Sequence, residues 1–139
     1  MRKLSKTILA AIFFTGIVVI PKLSAAGFTQ EKNIVYGHKH GLGLLMDVFS
    51  PEEQNGAGVI WVISGGMNSS RHSIPKLNKN PNFSSLIDHG YTVFAVMHGS
   101  QPKFALQEIV KDLPRAVRFI RYHAKKFGID ENKLGVTGR

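Results

Sequence analysis

The sequence predicts an α/β fold, a mostly parallel sheet flanked by helices, and three observations lead there. Val59-Ile60-Trp61-Val62-Ile63 is a run of five consecutive apolar, mostly β-branched residues, and Tyr91 to Met97 is a second strand rich in apolar residues. Continuous rather than alternating apolar strands imply burial on both faces, as in a parallel sheet covered by helices. Helical patterns follow each of them, and strand–helix alternation implies right-handed crossovers into one sheet. A chain of 139 residues with 43% hydrophobic residues, 14 Gly and 6 Pro has the size and composition of one globular domain.

The chain opens with a basic stretch, Met1 to Lys6, then an apolar run of 14 residues from Thr7 to Ile20, then Ser24-Ala25-Ala26 in the small-x-small pattern of a signal-peptidase site. Such a run suits a signal peptide and falls short of the ~20 residues a helix needs to span a bilayer. Residues 1–26 therefore read as a secretory signal cleaved near Ala26/Gly27, in preference to an uncleaved anchor or a buried core helix. A secreted or periplasmic protein follows, meeting the membrane only during export, with residues 27–139 as its domain. Arg2, Lys3, Lys6 and Lys22 belong to that leader, and without them the formal charge falls from +9 to +5. The basic balance thus loses its implication of nucleic acid. Zero cysteine removes disulfide scaffolds, thiolate zinc sites, iron–sulfur clusters and cysteine nucleophiles.

Lys32 to Tyr36 and Leu44 to Phe49 read as two short antiparallel strands joined by a Gly-rich turn. Ser50-Pro51 closes the second, and Glu52 to Gly58 is polar loop. The strand 59–63 runs into Ser64-Gly65-Gly66-Met67, followed by a polar stretch from Asn68 to Asn82. A short helix is expected from Asn82 or Phe83 to Asp88, ended by His89-Gly90. After the strand 91–97 comes the polar loop His98-Gly99-Ser100-Gln101-Pro102. Ile109, Leu113, Val117, Ile120, Ala124 and Phe127 then fall at offsets 0, 4, 8, 11, 15 and 18, one face of a long amphipathic helix. Pro114 requires that helix to kink, or to restart with Asp112 as N-cap, and Gly128 suits its C′ position. Arg115, Arg118, Arg121, Lys125 and Lys126 are read as its solvated face rather than a nucleic-acid stripe. Lys133 to Thr137 begins a third apolar strand. In parallel sheets ligands bind beyond the carboxyl ends of the strands, where Ser64 to Met67, His98 to Phe104 and Gly138-Arg139 all fall.

Two glycines after a buried strand let the backbone approach a ligand and point N–H groups at it, as an oxyanion hole requires; a plain tight turn uses the same residues. The strand followed by Ser64-Gly65-Gly66-Met67 resembles the oxyanion loop of the α/β-hydrolases. The stretches Asp112-Leu113-Pro114-Arg115-Ala116-Val117-Arg118-Phe119-Ile120-Arg121, Phe127-Gly128-Ile129-Asp130 and Lys133-Leu134-Gly135-Val136-Thr137-Gly138 are similar to the helix, turn and strand leading into the nucleophile elbow of the esterase/lipase branch. Within it the chain looks closest to secreted, bacterial feruloyl-esterase-like enzymes. The resemblance implies an eight-stranded, mostly parallel sheet of which this chain is the amino-terminal half, with strand 59–63 lying between strand 91–97 and the one starting near Leu134. It also implies a serine hydrolase of carboxylic esters, with a small-molecule or carbohydrate-linked ester as substrate and no metal or organic cofactor.

Gly65, Gly66 and Met67 would supply the backbone side of the oxyanion hole. Gly138 and Arg139 occupy the first two places of Gly-x-Ser-x-Gly, so the nucleophile is expected directly after Arg139, with the acid and His later still. A chain lacking all three is expected to be inactive. Ser64 stands where many relatives have His. His98-Gly99-Ser100-Gln101 replaces their usual Tyr-Arg, which makes Ser64, His98 and Ser100 candidates for the pocket.

Competing readings of these residues are weaker. Ser73-Ile74-Pro75-Lys76 and Ser100-Gln101-Pro102-Lys103 match Ser-x-x-Lys, but proline precedes each Lys and the companion motifs of penicillin-binding enzymes do not occur. His98 and Ser100, two apart on a loop, are better read as pocket-mouth residues than as base and nucleophile. His38 and His40 lack a third ligand and read as a solvated turn. Asp112 reads as a cap or as a partner of Arg115. A secreted binding protein derived from a hydrolase, and a peptidase or lactonase of the same fold, are the alternatives in function.

Overall fold

A computed structural model describes residues 27–138, and the expected signal segment 1–26 and Arg139 lie outside it. Five strands, β1 (Phe28–Lys39), β2 (Leu42–Pro51), β3 (Gly58–Ile63), β4 (Thr92–Met97) and β5 (Leu134–Gly138), form one sheet in the order β1-β2-β4-β3-β5. β1 and β2 form an antiparallel hairpin and β2 pairs antiparallel with β4, while β3 runs parallel to both β4 and β5. The sheet is therefore mixed, with its parallel part at the end that carries the candidate site. As expected, β3 lies between β4 and β5.

Both faces of the sheet are covered, which is why β3 and β4 can be apolar along their whole length. Successive residues of β4 point to opposite sides: Phe94 and Val96 pack with Ile60, Ala116, Ile120 and Phe127, whereas Val93, Ala95 and Met97 pack with Ile63, Ile74, Leu77 and Phe83. One layer consists of α2 (Leu106–Val110) and α3 (Asp112–Tyr122), the other of a 3-10 helix, Arg71–Lys79, and α1 (Pro81–Asp88).

Several element boundaries differ from expectation for identifiable reasons. The hairpin strands run longer at both ends. Polar Thr29 to Glu31 pair with Val48 to Ser50, and register shifts fall between Glu31 and Ile34 and between Val35 and Gly37; pairing, not side-chain pattern, extends them. The polar stretch expected to be loop contains the 3-10 helix, capped by the Ser70 side chain accepting the His72 N–H and anchored by buried Ile74 and Leu77. The long amphipathic helix is broken at Lys111 and restarts at Asp112, placing Pro114 in a first turn where its missing N–H costs nothing. Asp112 is not its cap: the carboxylate turns inward. α3 ends at Tyr122, although Ala124 and Phe127 continue its buried side in turns up to Gly128 (φ +69).

Candidate active site at the carboxyl ends of the parallel strands

β3 delivers the chain into a tight turn. Gly65 and Asn68 exchange backbone hydrogen bonds, 2.8 Å from the Gly65 N–H and 3.1 Å from the Asn68 N–H, and the two central residues, Gly66 and Met67, both have positive φ (59° and 62°). That is the backbone pattern of a type I′ turn. The Gly65 N–H is thereby engaged within the turn. Among the described residues the N–H groups of Gly66 and Met67 have no such partner, so the donors left open at this strand end are those two.

Hydrogen bonds tie this turn to the loop after β4. The Gln101 N–H donates to the Met67 carbonyl (3.2 Å). Ser69 laces three segments together: its hydroxyl donates to the Ile63 carbonyl at the end of β3 (2.5 Å) and accepts the His98 N–H (3.2 Å). Its N–H donates to Ser100 Oγ (2.9 Å), which donates back to the Ser69 carbonyl (3.2 Å). Ser100 is thus a cross-brace between loops and is not among the residues lining either hollow described below. His98 is buried, with Nδ1 2.6 Å from the Gly99 carbonyl. Gly99 lies against Phe104, whose ring a Cβ at that position would meet at 2.7 Å.

Beneath the loop sits a buried charge pair. Asp112 Oδ2 accepts the Gly99 N–H (2.9 Å) and the Lys39 ammonium (2.7 Å), and Lys39 also donates to the Glu108 carbonyl (2.8 Å) and lies over the Phe104 ring. Asp112 Oδ1 is buried without a hydrogen-bond partner; Arg115 Nη1, the partner expected from sequence, stands 3.9 Å away. The Tyr36 hydroxyl donates to the Met97 carbonyl (2.5 Å). Burial pushes that phenol well above its ordinary value, and the negative charge of Asp112 adds to the shift while Arg115 opposes it.

Two hollows flank the strand ends. One, of about 460 Å³, is the more polar of the two, lined by Ser64, Ser73, Lys76, Asn80 and Asn82 together with apolar Trp61, Val62, Ile63 and Leu77. The other, of about 420 Å³, is largely apolar, lined by Met67, Leu106, Ile109, Val110 and Leu113, with His98 at its edge. Ser64, Thr137 and Gly138 border both. Ser73 and Lys76 share the polar hollow with no hydrogen bond between them. His38 is exposed and gives its backbone carbonyl to Arg115, and His40, 69% exposed, pairs with Glu108 Oε1 (3.0 Å) and stacks on Phe104. Ser69 and Lys39 escape sequence reasoning altogether: their partners are backbone atoms and a carboxylate far away in the chain, and no local motif marks them.

Comparison with known proteins places this architecture. No curated protein matches the chain in sequence. Among solved structures, a truncated carbohydrate esterase from gut microbiota superposes with a TM-score of 0.68 at 20% identity, covering 83% of this chain and 41% of the other. A bacterial heroin esterase gives 0.67 at 21% identity, covering 84% and 37%. The esterase LipW from Mycobacterium marinum gives 0.67 at 16%, covering 82% and 35%. The chain thus has the α/β-hydrolase fold and spans well under half the length of each of these three structures. The BD-FAE family model matches residues 46–139, more than half of the sequence, from β2 through the whole candidate site. The chain belongs to the BD-FAE family.

Proposed function

We propose that this chain carries the oxyanion side of a serine hydrolase acting on carboxylic esters. The observation that carries the reading is the pair of open donors, Gly66 N–H and Met67 N–H, on a turn fixed at the carboxyl end of β3 and bordered by the end of β5 at Gly138. In such an enzyme a serine completing Gly138-Arg139 into Gly-x-Ser-x-Gly attacks the ester carbonyl. A histidine takes its proton and returns it to the leaving alcohol, and an acidic residue orients that histidine. The carbonyl oxygen gains negative charge in this step, and each preorganised N–H facing it lowers the barrier by about 3 kcal/mol. Ser69 and the 98–101 loop hold the donors in place beforehand. The polar hollow, with its hydroxyl, amide and ammonium groups, suits a hydroxylated alcohol such as a sugar. Residues 1–26, with their basic start, apolar run and Ser24-Ala25-Ala26, are the signal that exports the enzyme.

No serine, acid and histidine stand at the family's triad positions within residues 1–139, so this stretch alone is inert on short-chain aryl esters. The test is the reading frame beyond codon 139, together with aryl-ester hydrolysis by the chain it encodes. Ser-x-Gly in frame and activity that disappears when that serine becomes alanine support the proposal. A different residue at that position, or turnover by residues 1–139 alone, overturns it.

A further inference from the structure

We infer that the Asp47–Arg71 ion pair is a positioning device for the turn after β3, holding in place the segment that presents the Gly66 and Met67 N–H groups. The anchoring stands on its own geometry, and its use in catalysis rests on the ester-hydrolase reading.

Asp47 is an unexpected residue for its place. On β2 it shares a face with Leu45 and Phe49, which belong to the core layer beneath the 3-10 helix and α1, and its side chain has no exposure. An apolar side chain would fill that position more cheaply than an ionised carboxylate, which is buried only when its oxygens are hydrogen-bonded. Two segments meet that demand. From β1, Gln30 Nε2 donates to Oδ2 (2.9 Å) and the Asn33 N–H donates to Oδ1 (2.9 Å). From the head of the 3-10 helix, Arg71 places Nη1 on Oδ1 (2.9 Å) and Nη2 on Oδ2 (3.1 Å). Asn33 reaches the carboxylate from the irregularity in β1 between Glu31 and Ile34, at φ +61°. A bulge and a left-handed non-glycine residue committed to one carboxylate point to a use beyond packing.

What the carboxylate holds in return is Arg71. This is the first residue of the 3-10 helix and lies three positions past Asn68, whose backbone closes the turn with Gly65. Between them Ser69 is braced to the Ile63 carbonyl, the His98 N–H and Ser100 Oγ, all by neutral hydrogen bonds. A bidentate guanidinium–carboxylate contact is about twice as strong as a neutral hydrogen bond and fixes direction as well as distance. The stretch from Gly65 to Arg71 is therefore pinned to β3 at one end and to β2 at the other, with the two open donors between the pins. The pair sits at the β1–β2 end of the sheet, away from β5. A shift of about 1 Å in a group that must meet the reacting atoms lowers a rate by about 100-fold, so a strong remote pin has catalytic value.

The test compares Arg71→Lys, which keeps the charge of a side chain 41% exposed but loses its fork, with Arg71→Ala. Amide hydrogen exchange in the 139-residue chain at low concentration, read by NMR, reports the anchoring. The Gly65 and Asn68 N–H groups are expected to exchange about tenfold faster in both variants while the β4 amides keep their protection. A hollow of about 340 Å³ borders Asp47 and Arg71, so millimolar methylguanidinium should restore the turn in Arg71→Ala and methylammonium should not. Unchanged exchange at Gly65 and Asn68 in either folded variant overturns the anchoring, as does equal acceleration throughout the sheet. So does a folded Arg71→Ala that methylguanidinium leaves unaltered. If Arg71→Ala does not fold, Arg71→Lys decides. In the longer chain carrying Ser-x-Gly, Arg71→Lys should lower kcat on aryl esters about ten- to hundredfold with KM little changed, because the oxyanion forms only after binding. An unchanged kcat beside faster exchange in the turn removes the catalytic use of the pair and leaves the hydrolase reading. A longer parent chain that hydrolyses no ester removes the hydrolase reading, and the exchange result alone then upholds or overturns the anchoring.

Discussion

The Lys39 ammonium lies 2.7 Å from Asp112 Oδ2 where neither side chain is more than 8% exposed. This pair joins the end of β1 to the first turn of α3, and through the Gly99 N–H it fixes the loop that borders the candidate site. Breaking one side of a buried ion pair leaves an uncompensated charge and costs about 3–5 kcal/mol. Lys39→Met is expected to destabilise the fold by that order, measured as a fall in the urea midpoint. Lys39→Met combined with Asp112→Leu should recover only part of the loss, because the Gly99 N–H then has no acceptor. A Lys39→Met variant as stable as the parent would show that the pair contributes nothing.

Tyr36 gives a spectroscopic prediction. Its phenol is held above the ordinary value of 10.0 first by burial and then by the Asp112 charge. A group whose folded pKa is raised contributes stability that is fully present below its unfolded pKa and is lost as pH rises through the folded one. In an alkaline absorbance titration Tyr36 should therefore stay protonated past pH 10, and its ionisation should coincide with unfolding. Tyr36→Phe leaves the Met97 carbonyl unpaired in the core and should cost about 1–3 kcal/mol. A phenol at position 36 that ionises near pH 10 with the fold intact would contradict this.

Much of this arrangement was legible in the residues and some of it could not be. Strands β3 and β4 announce themselves because burial on both faces forces unbroken apolar runs, and the Gly65-Gly66 pair announces a turn because few other residues take its backbone geometry. Lys39 looks like a solvated hairpin residue because the carboxylate that buries it lies 73 positions away. Ser69 sits in a polar stretch, and what it braces, the His98 N–H, is 29 positions distant. The 3-10 helix left one faint trace, the three-residue spacing of Ile74 and Leu77. Which of the three backbone donors stays open depends on Asn68 closing the turn, a property of the folded backbone that residue types do not encode.

The hairpin tip and α2 meet through His40 and Glu108. Glu108 is held below the ordinary carboxylate value of 4.5, chiefly by the hydrogen bond from His40 and then by the Ala105 N–H that it accepts at the helix start. A depressed folded pKa means that the contribution to stability is present above about 4.5 and is lost as pH falls through the folded value. Carboxyl NMR titration should place the Glu108 midpoint below 4.5, and His40→Ala should move it back toward that value. An unmoved midpoint would assign the shift to the helix start instead.

β5 occupies the edge of the described sheet, pairing with β3 alone. Val136 is 63% exposed, and beside it an apolar hollow of about 420 Å³ is lined by Ile60, Leu113, Pro114 and Val117. An edge strand presents a row of unpaired backbone groups, and an apolar flank adds hydrophobic drive to strand addition. The 139-residue chain is therefore expected to self-associate as its concentration rises, seen as growing sedimentation coefficients. A charge at the edge opposes edge-to-edge pairing because the incoming strand must desolvate it. Val136→Lys should shift the distribution toward monomer at equal concentration while leaving the β1–β2 hairpin undisturbed. Sedimentation of the parent chain as a monomer throughout the accessible range would mean that this edge is protected in solution.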